Sequence, residues 1–191
     1  LANALLAEIA ATGDRVLVLE DTVELQCAAR DHVPLRTRQG VVSMQELVRS
    51  SMRLRPDRVV VGEVRGAEAL DLIKVWGTGH PGGIATIHAG SAIGALLRLE
   101  QLILEVAVNP PRALIAEAVN VVIHIAGRGR KRRIETIARV VGFDGAGYHL
   151  ADALGALETP FPELPPVSSA APTPRSSAAP SLSLDLPGEL P

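Results

Sequence analysis

Two short runs limit what this chain can fold into more than any other feature: Arg15-Val-Leu-Val-Leu19 and Arg58-Val-Val-Val-Gly62. Both are apolar nearly throughout rather than in alternation, so each reads as a strand buried on both faces. Each then runs straight into carboxylates. Doubly buried strands belong in a parallel sheet, and parallel strands need long crossovers, usually helices, that cover the sheet. The intervening sequence supplies them. Leu1 to Ala11 predicts a helix with Leu5, Leu6 and Ile9 on one face and Gly13 ending it. Ser43 caps a helix from Met44 to Arg53, with Glu46 placed to complete a capping box. Pro56-Asp57 turns the chain into the second run, Ala67 to Trp76 is helical, and Gly83 to His88 is a third strand. A long helix spans Ser91 to Val106, and Pro110 and Pro111 stop it and start the next. Asn120 to Ala126 and Ile134 to Phe143 are strands on either side of a basic turn, Arg128 to Arg133. The pattern predicts an α/β fold, a largely parallel sheet flanked by helices, with ligands at the carboxyl ends of the strands.

Composition bounds the domain. From Gly155 to Pro191, 37 residues hold nine prolines and six serines with no sustained apolar period, which predicts a disordered tail. Residues 1–154 are then one domain, long enough for a sizeable core. The whole chain has 19 basic and 21 acidic residues, a net charge of −2, which argues against wholesale nucleic-acid or anionic-membrane binding. With four aromatic residues, it also lacks a stacking platform for single strands. Cys27 is the lone cysteine, which excludes an internal disulfide and fits a reducing compartment. The longest apolar stretch, Ala113 to Ala126, is broken by Glu117, Asn120 and His124, so no membrane span is expected. The apolar start carries Glu8 and has no basic leader, which argues against a secretory signal. Because the first residue is Leu1, a soluble piece of something longer is expected.

Three strand ends carry unusual polar groups. The first, Leu19-Glu-Asp-Thr-Val-Glu-Leu-Gln26, delivers Glu20, Asp21 and Glu24. Three carboxylates so close repel one another unless a cation or water network spreads their charge, and the alternative is a solvated acidic turn. The second, Val59-Val-Val-Gly-Glu-Val-Arg65, puts Glu63 at the mouth of a crevice, as a catalytic base or as one half of a Glu–Arg pair. The third, Gly77-Thr-Gly-His-Pro-Gly-Gly-Ile-Ala-Thr-Ile-His-Ala-Gly-Ser91, presents His80 on a glycine-rich loop and Thr86 and His88 at the end of a strand. Zinc-ligand spacing is absent, and no G-x-S-x-G elbow accompanies the histidines.

Together these segments resemble the secretion and conjugal-transfer ATPases of type II and type IV machinery, the TrbB-like ATPases of conjugative transfer most of all. Glu20-Asp-Thr-Val-Glu24 resembles that family's Asp box, Leu54 through Arg65 its Walker B segment, and His80 through Ser91 its His box. The resemblance covers residues 1–154 and implies a RecA-like P-loop NTPase core that hydrolyses ATP with Mg²⁺ inside a homo-hexamer. It assigns Glu63, Glu24 and His88 to catalysis: Glu63 polarises the attacking water and His88 contacts the γ-phosphate. Arg65, His80 and Thr86 fall on the nucleotide side, and Glu20 and Asp21 hold Mg²⁺ or its waters, with Glu24 also near the metal. The expected setting is cytoplasmic, peripheral to a bacterial inner membrane, beside secretion or conjugation channel components. No sequence-specific nucleic-acid binding is expected.

One departure matters. The Walker A loop, G-x-x-x-x-G-K-[ST], is absent from these residues, and Leu1 to Ala11 resembles the helix that follows it. The expectation is that the chain begins just after that loop and alone turns over ATP negligibly. Three rivals stand: a nucleotide-independent assembly module, a type II secretion or type IV pilus ATPase, and a RecA-like DNA ATPase, which would require DNA-stimulated turnover. The run Arg128-Gly-Arg-Lys-Arg-Arg133 is either a solvated hairpin turn or a docking patch for acidic lipid headgroups or an acidic partner.

Overall fold

A computed structural model describes residues 1–153. The tail expected over 155–191, and with it the domain boundary, lies outside the described residues. The elements run α1 (Ala2–Ile9), β1 (Val16–Glu20), β2 (His32–Arg36), α2 (Met44–Ser51), β3 (Arg58–Val61), α3 (Glu68–Gly77), β4 (Ile84–Ala85), α4 (Ala92–Leu104), α5 (Arg112–Ala118), β5 (Val121–Ala126), β6 (Arg133–Phe143) and β7 (Tyr148–Asp152).

The two apolar runs lie side by side in the middle of a parallel sheet of order β2-β1-β3-β4, with Val16 in register with both His32 and Arg58. Their pleat divides the core in two. Leu17, Leu19, Val59 and Val61 point to the face covered by α2, α3 and α4, where they meet Leu47, Val48, Leu72, Ile73 and Leu96. Val16, Val18 and Val60 point the other way, onto Leu6 and Ile9 of α1. All seven strand residues are essentially inaccessible to water. Alternation by two along a strand therefore sorts one unbroken apolar run onto two helical layers.

The edges differ from the centre. Strand β2 alternates exposed and half-buried residues and contains Pro34, which an edge strand tolerates because one side of its ladder is unpaired. Only Ile84 and Ala85 of the segment expected over 83–88 form regular strand. Gly83 lies so close to the β3 backbone that a Cβ there would sit 2.4 Å from the Val59 carbonyl oxygen. Beyond Ala85, pairing dwindles to a single bond from the Val64 N–H to the Thr86 carbonyl, 2.9 Å.

The last three strands form a second sheet, β5-β6-β7, antiparallel throughout. A connection as short as 127–132 cannot carry a parallel crossover and returns β6 antiparallel beside β5. The sheet's inner face, through Val122, Val140, Phe143, Tyr148 and Leu150, packs onto the cluster that α4 and α5 share with the parallel sheet. The capping box forms as the sequence predicts: Glu46 N–H donates to Ser43 Oγ (3.2 Å), and Ser43 N–H donates to Glu46 Oε2 (2.7 Å). Among the described residues no helix is long and apolar enough to cross a membrane.

Candidate functional site

Four parallel strands end at one edge, and each delivers a polar side chain just beyond its last residue. Thr37 follows β2, Asp21 follows β1, Glu63 and Arg65 follow β3, and His88 follows β4. These side chains make one continuous array in the order of the strands. The Thr37 hydroxyl donates to Asp21 Oδ1 at 2.6 Å, and Arg65 Nη2 meets Asp21 Oδ2 at 2.5 Å. Arg65 Nε lies 3.2 Å from Glu63 Oε2, whose other oxygen is 3.1 Å from His88 Nε2. One guanidinium thus holds two carboxylates that would otherwise repel. Exposure differs sharply between the last two members: the Glu63 side chain is 26% exposed, whereas the His88 ring, at 95%, stands open to solvent. A carboxylate fixed on both sides yet reached by water, next to an imidazole with freedom to turn, can orient a polar ligand and accept a proton from it.

The turn that presents this array is held from beneath. Buried Glu68, in the first turn of α3, accepts from the backbone N–H groups of Arg65 (2.6 Å) and Gly66 (2.9 Å). The Thr86 hydroxyl donates to the Gly62 carbonyl at 2.5 Å, tying the end of β4 to the end of β3. Gly62 admits no side chain without displacement, since a Cβ there would lie 3.2 Å from Glu20 Cγ.

The remaining residues singled out from the sequence divide between the site and its surroundings. Glu20 is buried, and its Oε1 accepts from the N–H groups of Glu24 (3.0 Å) and Leu25 (2.8 Å), so this oxygen folds the acidic loop over the strand end. Glu24 is exposed in that loop, and its carbonyl accepts from Asn3 of α1, which brings the start of α1 to the same edge. His80 is not brought together with the others. Its Nδ1 lies 2.8 Å from the carbonyl of Pro56, ahead of β3, at the opposite end of the strand from Glu63. Thr37 and Glu68 are the members that sequence reasoning missed. Thr37 could have been found only by recognising β2, whereas Glu68 sits three residues after Arg65, a helix-entry spacing open to inspection.

Among the described residues no three His, Cys, Asp or Glu side chains converge as a metal site.

The carboxylate–guanidinium–carboxylate–imidazole array thus lies across the carboxyl edge of a parallel sheet flanked by helices, the edge at which open α/β sheets bind ligands. The known relatives narrow this further. Residues 1–136 match the family described as Type II/IV secretion system protein. The chain is 48% identical over 150 residues to the conjugal transfer protein TrbB of Rhizobium radiobacter, covering 78% of this chain and 46% of that protein. It is 35% identical over 153 residues to the type IV secretion system protein PtlH of Bordetella pertussis, covering 72% and 45% respectively. Among solved structures, the VirB11 ATPase of the Brucella suis type IV secretion system superposes with a TM-score of 0.60 at 29% identity, over 70% of this chain and 44% of that one. The DotB ATPase of Legionella pneumophila shares the fold, with a TM-score of 0.51 at 20% identity. The chain belongs to the type II/IV secretion system protein family. It has the fold of the VirB11 ATPase and spans about half the length of the curated relatives it matches.

Proposed function

We propose that this chain forms the hydrolytic half of a traffic ATPase, one that works as a homo-hexamer and couples ATP turnover to conjugative transfer or type IV secretion. The observation that carries the reading is the unbroken array Thr37–Asp21–Arg65–Glu63–His88 across the carboxyl edge of the sheet, at the segments that resemble the family's Asp box, Walker B and His box. Glu63, anchored by Arg65, accepts a hydrogen bond from the attacking water and aims it. His88 donates to the γ-phosphate as charge develops there, and its exposure leaves it free to swing from Glu63 onto the nucleotide. Asp21 and Glu24 are the carboxylates that would hold Mg²⁺ through its waters, while Glu20 shapes the loop that carries them. When bound there, Mg²⁺ would offset phosphate charge. Arg65 keeps Glu63 and Asp21 from repelling the triphosphate, and Thr86 fixes the β3–β4 edge on which Glu63 turns. His80 serves at a distance, by anchoring the glycine-rich loop to Pro56. The protein acts at the cytoplasmic face of an inner membrane, beside channel components of the apparatus.

The test is Glu63→Gln, made in a longer form of the protein that carries a phosphate loop. Glutamine keeps the shape and loses the charge, so ATP binding should survive while turnover falls by roughly 10²–10⁴, the scale of lost general-base assistance. Asp57→Asn is the control. Asp57 accepts from the Arg15 N–H at 2.7 Å, at the amino end of the sheet, and its loss should leave turnover nearly unchanged. Equal impairment by the two substitutions, or loss of ATP binding in Glu63→Gln, would refute the placement of the hydrolytic carboxylate.

A further inference from the structure

The strongest unassigned feature is the tip of the β5–β6 hairpin. Between two antiparallel strands the chain places Arg128, Arg130, Lys131, Arg132 and Arg133 around a single turn of 3₁₀ helix, Gly129–Lys131. All five are exposed. Arg133 is partly neutralised by Glu135 at 3.4 Å, and Glu135 also meets His124 at 3.1 Å. The other four cations have no ion pair or side-chain hydrogen bond among the described residues. The turn is not loose. Gly127 has φ +87°, and a Cβ there would sit 2.2 Å from the Lys131 carbonyl oxygen, so the loop folds back tightly on itself and holds its cations together. Four unpaired like charges on one tight turn repel one another, a cost that a counter-surface of opposite sign would remove.

An apolar element lies immediately behind the charges. Ile125 and Ile134 are cross-strand partners, so their side chains emerge together on one face of the ribbon, 42% and 50% exposed. On the same strands, Val121 and Val141 are also open to water. Cations at a tip with paired isoleucines behind them match a phospholipid surface, which offers anionic headgroups outside and hydrocarbon a few ångströms deeper. A nucleic acid is the poorer match, because the hairpin presents no aromatic ring to stack on bases and its apolar pair would face a polyanion.

We propose that the β5–β6 hairpin tip is a membrane-docking site, with Arg128, Arg130, Lys131 and Arg132 engaging anionic lipid headgroups and Ile125 and Ile134 entering the headgroup–acyl boundary. The inference deepens the membrane-facing part of the proposed function by naming the surface that touches lipid. It needs no nucleotide, so it can fail while the Glu63 result stands, and the reverse.

The experiment is flotation of the 191-residue chain with vesicles of equimolar phosphatidylglycerol and phosphatidylethanolamine, against vesicles of phosphatidylcholine alone. Binding should require the anionic lipid and weaken steeply as salt is raised. Replacing Arg128, Arg130, Lys131 and Arg132 with glutamine should lower affinity by a hundredfold or more, since each cation near an anionic surface contributes about fivefold. These side chains support nothing in the fold, so the melting temperature should not move. Ile125→Ser with Ile134→Ser should lower affinity by about tenfold while leaving the salt dependence in place, which separates entry into the lipid from adhesion to it. Undiminished binding by the four-fold glutamine variant, or equal binding to phosphatidylcholine, would overturn the proposal. So would absence of vesicle binding together with retention of a DNA or RNA duplex that the glutamine variant loses, and that result would assign the patch to nucleic acid.

Discussion

The two sheets of this protein use the same residue types to opposite ends. In the parallel sheet, β1 and β3 spend valine and leucine on both faces, and polar groups are expelled to the strand ends. In the antiparallel sheet only one face meets the core. The other carries Ile125, Ile134 and Val141 into solvent, and polar residues such as Glu135 and Thr136 lie along the strands as well as at the turns. A doubly covered sheet therefore concentrates chemistry at one edge, where several strands end together. A singly covered sheet spreads its reactive groups over a surface. Orientation of a ligand follows naturally from the first, and adhesion from the second.

The sharpest way to break that comparison is to truncate equivalent aliphatic residues in each sheet. Leu17 of β1 is wholly buried between β3 and the helices, and Leu17→Ala should cost about 2–5 kcal/mol. Ile134→Ala, at a half-exposed position on β6, should stay within about 0.5 kcal/mol. Denaturant midpoints of the two variants measure the difference. Similar losses would mean that the outer face of the antiparallel sheet is packed in solution.

These contrasts bear on what the sequence could reveal. Strands β1 and β3 were legible because burial on both faces writes itself as an unbroken apolar run, and the carboxylates at their ends marked the site edge. Strand β2 was not legible. An edge strand alternates, and His32-Val-Pro-Leu-Arg36 adds a proline that reads as a break. With β2 went Thr37, because a residue defined by the end of a strand cannot be found without the strand. Strand β7 was missed for a related reason, since Tyr148-His-Leu-Ala-Asp152 owes its pairing to β6 and not to its own pattern. The sequence also placed His80 and His88 in one segment, but eight residues that include a strand separate the two ends of a sheet. His80 consequently meets Pro56 and His88 meets Glu63. Spacing along the chain located strand ends well and could not tell which end.

A smaller effect probes the joint between the two sheets. Glu100 of α4 is buried and ion-pairs with Arg112 of α5 at 2.8 Å, while the Arg112 guanidinium lies over the Phe143 ring of β6, 5.9 Å from its centroid. Phe143 in turn packs against Tyr148 of β7 with centroids 5.2 Å apart. Burial, and then the neighbouring Glu100 carboxylate, push the Tyr148 phenol well above its ordinary value, so it remains neutral at any working pH. Arg112→Ala strands a buried carboxylate. The cost should be about 2–3 kcal/mol, discounted from the roughly 3–5 of a fully buried pair because half of Arg112 is exposed. Hydrogen exchange should show the loss first in β6 and β7, with the β1 and β3 amides still protected. Uniform loss across both sheets would show that they unfold as one cooperative unit.

The smallest expected effect sets a turn of the antiparallel sheet against a helix cap of the parallel layer, both through exposed acids. Asp144 accepts from the N–H groups of Ala146 (2.9 Å) and Gly147 (3.2 Å) and meets His149 Nε2 at 2.7 Å. The Ala146 N–H, followed by His149 and the Gly147 N–H, holds its carboxyl below the ordinary 3.8. Glu46 is held below its ordinary 4.5 first by the Ser43 backbone N–H and then by the Ser43 hydroxyl. A group whose folded pKa is depressed stabilises the protein at pH above its unfolded value and loses that contribution as pH falls through the folded one. Acidification from about pH 5 should therefore weaken the α2 cap first and the β6–β7 turn next, each slightly, because solvent surrounds both groups. Asp144→Asn keeps an oxygen for both N–H groups while removing the titration, so this variant should lose less stability than the parent over that range. Glu46→Gln should do the same for α2. Melting temperatures recorded from pH 5 to pH 2 provide the measure. If Asp144→Asn were as acid-sensitive as the parent while Glu46→Gln were not, the turn of the antiparallel sheet would contribute nothing that titrates, and its carboxylate would be an ordinary surface group.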